Sequence, residues 1–145
     1  MALIWRENMS VANNSIDHDH KYMVCYVNTV MLALQKPEEK EILLTSLSQL
    51  YSYAEEHFSR EEHIQQMIKY PDYVKHKIEH KKLLHDLNDL QKKIKDEYNN
   101  EEIDEKYHEI VSFLKHWLVD HVLNTDMLLK PYLVKYKRNS FHVIK

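Results

Sequence analysis

The chain has 145 residues, a formal net charge of −3, eleven histidines and no glycine. Glycine usually makes up about 7% of a protein. Its absence excludes the glycine-rich loops that hold phosphate in nucleotide-binding proteins and the Asn-Gly turns of β-hairpins. The nearly balanced charge gives no indication of nucleic-acid binding. The composition therefore favours an all-helical protein with short polar connections.

The same composition indicates where the protein acts. No apolar stretch reaches the roughly 18 residues of a transmembrane helix, so we expect no membrane span. The only apolar run in residues 1–10 contains Arg6 and Glu7, which is not typical of a signal peptide. The single Cys25 cannot form an internal disulfide, which favours a reducing compartment. We therefore expect a cytoplasmic protein.

Four stretches have apolar residues spaced by three and four, which places those residues on one face of a helix. In chain order they cover residues 16–34, 43–68, 73–94 and 103–121. Residues 15–17 are typical of a capped helix start, and Pro37 followed by two glutamates is typical of a helix opening. Pro71 separates the second and third stretches, and Asn99-Asn100 separates the third and fourth.

Long helices joined by short connections favour antiparallel neighbours. The sequence therefore predicts an all-α fold, an up-down-up-down antiparallel four-helix bundle. Residues 1–14 form an N-terminal arm that Trp5 would anchor, and the bundle domain extends over residues 1–132. Residues 133–145 form a short basic C-terminal tail, for which a solvated surface is the simplest interpretation.

Polar side chains occupy several positions that periodicity assigns to the core. They are His20, His57, Glu61, His76, His80 and His121. A single histidine on an apolar face is more often a hydrogen-bonded core residue than a metal ligand. Five imidazoles and a carboxylate buried without partners, however, would cost several kcal/mol or more. Metal coordination would satisfy all six together.

The positions of these residues along the helices support this hypothesis. His57 and Glu61 are four residues apart, as are His76 and His80, so each pair lies on one helix face. In an antiparallel bundle all six residues fall at the same end, because they lie early in the first and third helices and late in the second and fourth. The other six histidines fall outside the core positions.

The order and spacing of these motifs resemble those of the hemerythrins, in particular the single-domain bacterial type. The motifs are Asp17-x-x-His20, His57-Phe58-x-x-Glu61, His76-x-x-x-His80 and Trp117-x-x-x-His121-x-x-x-x-Asp126. The resemblance covers about residues 3–132 and implies a non-haem centre of two iron ions (Fe2+/Fe3+) with an oxo or hydroxo bridge. It also implies that His76, His80 and His121 bind one iron, that His20 and His57 bind the other, and that Glu61 and Asp126 bridge them.

Asp126 presents a geometric difficulty. It follows His121 by five residues, which on an ideal helix turns it about 140° away. The two side chains cannot face one metal pair from a straight α-helix. If Asp126 is a bridge, the fourth helix must end or distort between Val122 and Asp126.

The implied ligand set leaves one coordination position open, on the iron bound by His20 and His57. That position is where O2 would bind, and the resemblance implies a pocket lined by Leu118, Trp117 and Phe58. Plain core packing is an equally good interpretation for Phe58 and Trp117. Asp17 has two possible roles, a helix cap or a partner of the metal ligands, and capping is the simpler.

The leading functional hypothesis is reversible O2 binding for storage, transport or delivery, without enzymatic activity. An O2-consuming protein would then be a possible partner. Two alternatives use the same centre. One is oxygen, redox or nitric oxide sensing; the other is a di-iron enzyme such as a peroxidase or a nitric oxide reductase.

Overall fold

The computed structural model describes the backbone of residues 2–144, and the side chains of these residues except 122, 123 and 140–144. All regular structure in this part of the chain is helical. The α-helices are α1 (Asn14–Ala33), α2 (Lys40–Met67), α3 (Tyr73–Lys92), α4 (Asn100–Glu105), α5 (Tyr107–Val119) and α6 (Lys130–Ile144). Within these residues, no helix has the length and apolar character needed to cross a membrane.

Wider and tighter helical turns interrupt this pattern. Short 3-10 helices cover Glu7–Met9, Pro37–Glu39 and Asp126–Leu129. π-helical turns cover Lys93–Glu97 and Asp120–Thr125. The fourth predicted stretch is therefore not one continuous helix but α4, α5 and a π-helical end.

The start of α1 differs from the expected cap. Asn13 is the N-cap, and its side chain accepts a hydrogen bond from the Ile16 amide at 3.0 Å. Asp17 instead accepts hydrogen bonds from the Ser10 hydroxyl at 2.6 Å and from the Val11 amide at 2.9 Å. Asp17 therefore ties the arm to α1 rather than capping the helix.

Two residues adopt left-handed backbone, a conformation that glycine usually takes. Ala12 has a φ of 62° and Lys69 a φ of 54°. After α2, the Tyr70 amide bonds to the Gln65 carbonyl and the Lys69 amide to the Gln66 carbonyl. This is a Schellman ending, so a chain without glycine places lysine where glycine is usual.

The helices pack as a bundle in which α1 lies on α2, α2 on α3 and α1 on α5. Most buried apolar residues form one main apolar cluster between α1, α2, α3, α4 and α5. A smaller closing cluster joins the arm, the α2–α3 connection and the start of α6; its buried members are Val11, Ile16, Tyr70, Leu129 and Leu133. The predicted core face of α1 is buried at all six positions, from Ile16 to Leu34.

The N-terminal arm and the start of α6 lie against the bundle. In the arm, the Leu3 backbone and the Asn28 side chain exchange two hydrogen bonds, and the Lys21 ammonium lies 5.4 Å from the centroid of the Trp5 ring. The basic tail belongs to α6, where Leu133 is buried and residues 134–139 are exposed. The division at residue 132 remains a prediction, and the side chain of His142 lies outside the described residues. Cys25 is exposed on α1.

Candidate metal centre

The seven residues predicted as metal ligands come together in the interior. Each is at most 3% exposed. His20 comes from α1, the pair His57 and Glu61 from α2, and the pair His76 and His80 from α3; His121 lies in the π-helical turn, and Asp126 begins the 3-10 turn after it.

Their ligand atoms form two groups with two members in common. One group contains His76, His80 and His121, and the other contains His20 and His57. Glu61 and Asp126 belong to both groups, and within each group the ligand atoms lie within 4.8 Å of one another. The arrangement therefore offers two adjacent cation positions that share two carboxylates.

The two oxygens of Glu61 face different histidines. Oε1 lies 2.8 Å from Nε2 of His76 and 3.2 Å from Nε2 of His80. Oε2 lies 3.2 Å from Nε2 of His57 and 3.8 Å from Nε2 of His20. One oxygen thus points to the three-histidine position and the other to the two-histidine position.

Asp126 divides its oxygens in the same way. Oδ1 lies 3.1 Å from Nε2 of His76 and 3.0 Å from Nε2 of His121. Oδ2 lies 2.7 Å from Nε2 of His20, with which it makes a hydrogen bond.

Asp126 reaches the centre because the helix widens after α5. The Asp126 amide bonds to the His121 carbonyl, which is the five-residue hydrogen bond of a π-helix. This wider turn brings residues five apart onto one face. The predicted distortion is confirmed, although it begins at Asp120, before the expected Val122.

The buried ligand atoms have the pattern expected of a cation site. His57, His76, His80 and His121 each have a buried Nε2 that makes no hydrogen bond, although carboxylate oxygens lie close by. Glu61 Oε2 and Asp126 Oδ1 are also buried without hydrogen bonds. Buried polar atoms rarely lack partners, and a bound cation would supply one to each. Imidazole and carboxylate ligands suit iron, and also zinc and copper.

The charges in the centre depend strongly on one another. Burial alone would raise the pKa of Glu61 and Asp126, but the facing histidines outweigh it and hold both well below the usual carboxyl range. Burial alone would lower the pKa of the histidines, but the carboxylates raise it to about 9 for His57 and His76 and to about 10 for His121. Protons and a cation would therefore compete for these histidines, because a metal binds the deprotonated ring.

Carboxylates outside the ligand set lie beside the Nδ1 atoms of three of the histidine rings. Glu62 lies 2.7 Å from Nδ1 of His80, and Asp19 lies 3.0 Å from Nδ1 of His57. Glu79 lies 4.0 Å from Nδ1 of His121 and accepts a hydrogen bond from Thr125. The hydrogen bonds of Glu62 and Asp19 fix the orientation of the His80 and His57 rings and leave Nε2 of each ring free to bind a metal.

The Asp19 carboxylate is the most extensively bonded of these groups. Besides His57, it accepts two hydrogen bonds from Arg60 at 2.9 Å and one from the Tyr53 hydroxyl at 2.8 Å. Burial would raise its pKa, but these hydrogen bonds hold the pKa of Asp19 well below its usual range. The sequence pattern missed Asp19, although an acid directly before the proposed ligand His20 was a usable signal.

The three predicted pocket residues are all buried. The Phe58 ring stacks on His80, with ring centroids 4.1 Å apart, and the Trp117 indole donates a hydrogen bond to the Leu83 carbonyl at 2.9 Å. Leu118 is 2% exposed and belongs to the main apolar cluster. Their role as a gas pocket remains a prediction.

Comparison with known proteins places this centre in a family context. Residues 11–133 match the hemerythrin HHE cation-binding domain. The chain is 32% identical to bacteriohemerythrin of Methylococcus capsulatus over 117 residues, which cover 81% of this chain and 85% of that protein. It is 27% identical to bacteriohemerythrin of Clostridium acetobutylicum over 130 residues, which cover 85% and 95%.

Solved hemerythrin structures are also similar to this chain. Crystal structures of hemerythrin with a leucine replaced by tyrosine or by alanine each superpose with a TM-score of 0.75 and 29% sequence identity. Each match covers 92% of this chain and 98% of the hemerythrin chain.

Proposed function

The chain belongs to the hemerythrin family, and from this premise we propose that it binds O2 reversibly at a non-haem di-iron centre. The observation that carries the proposal is the pair of ligand groups that share Glu61 and Asp126. One group has three imidazoles and the other has two. With both carboxylates and a common solvent-derived bridge, one ion would have six ligands and the other five, so one of its six positions would be open. That position would lie on the His20 and His57 side.

In this proposal His76, His80 and His121 hold one iron, His20 and His57 hold the other, and both carboxylates bridge. Two ferrous ions, when bound, would supply the two electrons and the open position that O2 binding requires. The protein contributes fixed ligand directions and a dry interior. Phe58, Trp117 and Leu118 would exclude water from this end of the main apolar cluster.

We further infer that the protein stores or delivers O2 and is not an enzyme. Among the described residues, the buried polar side chains are the seven proposed ligands together with Asp19, Ser46 and Gln65. Asp19 is committed to His57, Arg60 and Tyr53, and Ser46 to the Ile42 carbonyl. Among the described residues, this leaves no buried carboxylate or imidazole outside the ligand set free to transfer protons to a substrate. A cytoplasmic site of action and an O2-consuming partner complete the proposal.

The same proposal includes the arrangement of the helices. Early α1 meets late α2, where Asp19 binds Arg60, and early α3 meets late α2, where His80 binds Glu62. These pairings support an up-down-up-down antiparallel four-helix bundle in which α4 and α5 together form the fourth member.

The proposal is tested by adding ferrous iron to the protein without air and exposing it to O2. We expect two irons per chain and a visible absorption band that appears in O2 and disappears under vacuum over several cycles. The His57→Ala variant should lose the band, and the control His63→Ala, which changes an exposed histidine, should keep it. Rapid irreversible oxidation would contradict a carrier, and turnover above that of free iron would indicate an enzyme.

A further inference from the structure

A buried amide beside the candidate metal centre has no place in the ligand set. Gln65 on α2 is 0% exposed, and its Nε2 donates a hydrogen bond to Oε1 of Glu61 at 3.3 Å. Its own Oε1 is buried and has no hydrogen-bond partner. An unpaired buried acceptor costs about 1–3 kcal/mol, so an apolar side chain of the same size would fit this position at lower cost.

The hydrogen bond from Gln65 reaches only one of the two oxygens of Glu61. Oε1 is the oxygen that faces His76 and His80, whereas Oε2 faces His57 and His20. The amide therefore distinguishes the three-histidine side of the carboxylate from the two-histidine side.

The other shared carboxylate has no such support. Among the described residues, the groups that form a hydrogen bond or an ion pair with the Asp126 side chain are ring nitrogens of the proposed ligands. Its direction comes from the backbone, which holds it in place through the π-helical turn. Glu61 lies on a regular α-helix and has a longer side chain with one more rotatable bond, so its carboxylate needs an external contact to fix its rotation.

We propose that Gln65 is a positioning residue that keeps Glu61 in the bridging orientation, with one oxygen on each cation. This inference rests on the proposed di-iron centre and adds a role for a residue outside the ligand set. Without the amide, the Glu61 carboxylate is free to rotate and bind one cation through both oxygens. The second cation would then lose a ligand, and its affinity would fall more than that of the first.

The test is a titration of the full, metal-free chain with Co(II), followed by calorimetry and by the visible spectrum of bound Co(II). The variant is Gln65→Met, which keeps the length of the side chain and removes the donor. The control is Gln66→Met, because Gln66 is the exposed neighbour and its amide bonds to the Tyr73 hydroxyl instead. We expect Gln65→Met to weaken binding of the second Co(II) by about 10- to 100-fold, with the first affinity and the control little changed.

Unfolding of the metal-free proteins separates positioning from packing. The metal-free Gln65→Met variant should be as stable as the unmodified chain or more stable, because the unpaired acceptor is gone. Two outcomes would overturn the positioning role. In one, the variant binds the first and the second Co(II) as tightly as the unmodified chain does; in the other, the substitution weakens the two binding steps equally. Failure of the unmodified chain to bind two Co(II) ions would instead overturn the proposed di-metal centre.

Discussion

The main apolar cluster and the ligand-bearing end of the bundle differ in what holds them together. In the apolar cluster, side chains such as Leu47 and Leu50 are buried against hydrocarbon and lie on the regular helix α2. At the other end, buried histidines face buried carboxylates, and both left-handed residues, Ala12 and Lys69, lie beside the closing cluster. Burial of hydrocarbon holds the apolar part together, whereas bound cations would complete the contacts of the polar part.

The largest expected difference between the two parts is the response to metal. A cation at 1,000 times its dissociation constant stabilises a protein by about 4 kcal/mol per site. Thermal unfolding with and without Co(II) should show this increment in the unmodified chain and its loss in Glu61→Gln, which lacks the shared anionic ligand. An undiminished increment in Glu61→Gln would exclude Glu61 as a bridge.

The effect of truncating a core side chain should not depend on metal. Leu50→Ala removes a fully buried side chain from the main apolar cluster and should lower the free energy of unfolding by about 2–5 kcal/mol. The loss should be the same with and without Co(II), as measured by urea denaturation. A loss that appears only in the metal-free protein would mean that the two parts are not independent.

The pH dependence should also separate the two parts. The raised pKa values of His57, His76 and His121 mean that the folded state holds protons that the unfolded chain releases near pH 6.5. Their contribution is complete below about pH 6.5 and is lost as the pH rises through 9 to 10. The contribution of Glu61 and Asp126, whose pKa values are lowered, is present above about pH 4 and is lost in acid.

The metal-free protein should therefore lose stability between pH 6.5 and pH 10, by up to about 1.4 kcal/mol for each unit by which the pKa of a histidine is raised. Metal affinity should rise over the same interval, because binding displaces the protons. Denaturant titrations at several pH values measure how the free energy of unfolding changes with pH, and Co(II) titrations measure how the affinity changes. If both quantities rise or both fall with pH, protons and metal do not compete at one centre.

The outer carboxylates should have a smaller effect on metal binding. Asp19→Asn keeps the size of the side chain but removes the charge that orients His57, so metal affinity should fall by about 10- to 100-fold. The control Glu56→Gln changes an exposed carboxylate that pairs with Arg60, whereas Asp19 is the carboxylate that binds Nδ1 of His57. Equal affinities in the two variants would show that Asp19 does not orient the ligand.

The smallest expected effect concerns the left-handed backbone of the arm. Left-handed backbone costs a non-glycine residue about 1–2 kcal/mol, and part of this is recovered by glycine. Ala12→Gly should raise the free energy of unfolding by up to about 1 kcal/mol. Ala33→Gly, at the last residue of α1, should lower it, by less than the roughly 1 kcal/mol that glycine costs in a helix interior. A loss in both variants would argue against strain at Ala12.

The two parts also differ in how much of their structure could be predicted from the sequence. Periodicity identified the apolar face of α1 from Ile16 to Leu34 and brought five histidines and Glu61 to one end, because burial repeats with the helix turn. The spacing of His121 and Asp126 predicted a helix distortion, since no straight helix satisfies both residues. These features depend on local geometry, which the sequence expresses directly.

Other features depend on contacts between distant segments. The hydrogen bonds of Asp19 to Arg60 and Tyr53 join α1 to α2, and a residue next to a core position is otherwise assigned to solvent. The N-cap at Asn13, in place of the expected residues 15–17, follows from the bonding of Asp17 to the arm. Gln65 lies off the apolar pattern and is recognised only once Glu61 is in place.

The single exposed thiol on α1 gives this protein a built-in attachment point for a spectroscopic reporter. Cys25 lies five residues after His20, which is about 7.5 Å along the helix axis. A maleimide fluorophore attached there would sit close enough to the centre for energy transfer to bound Co(II) or to an iron absorption band. Metal occupancy could then be followed by fluorescence at low protein concentration, without introducing any substitution into the chain.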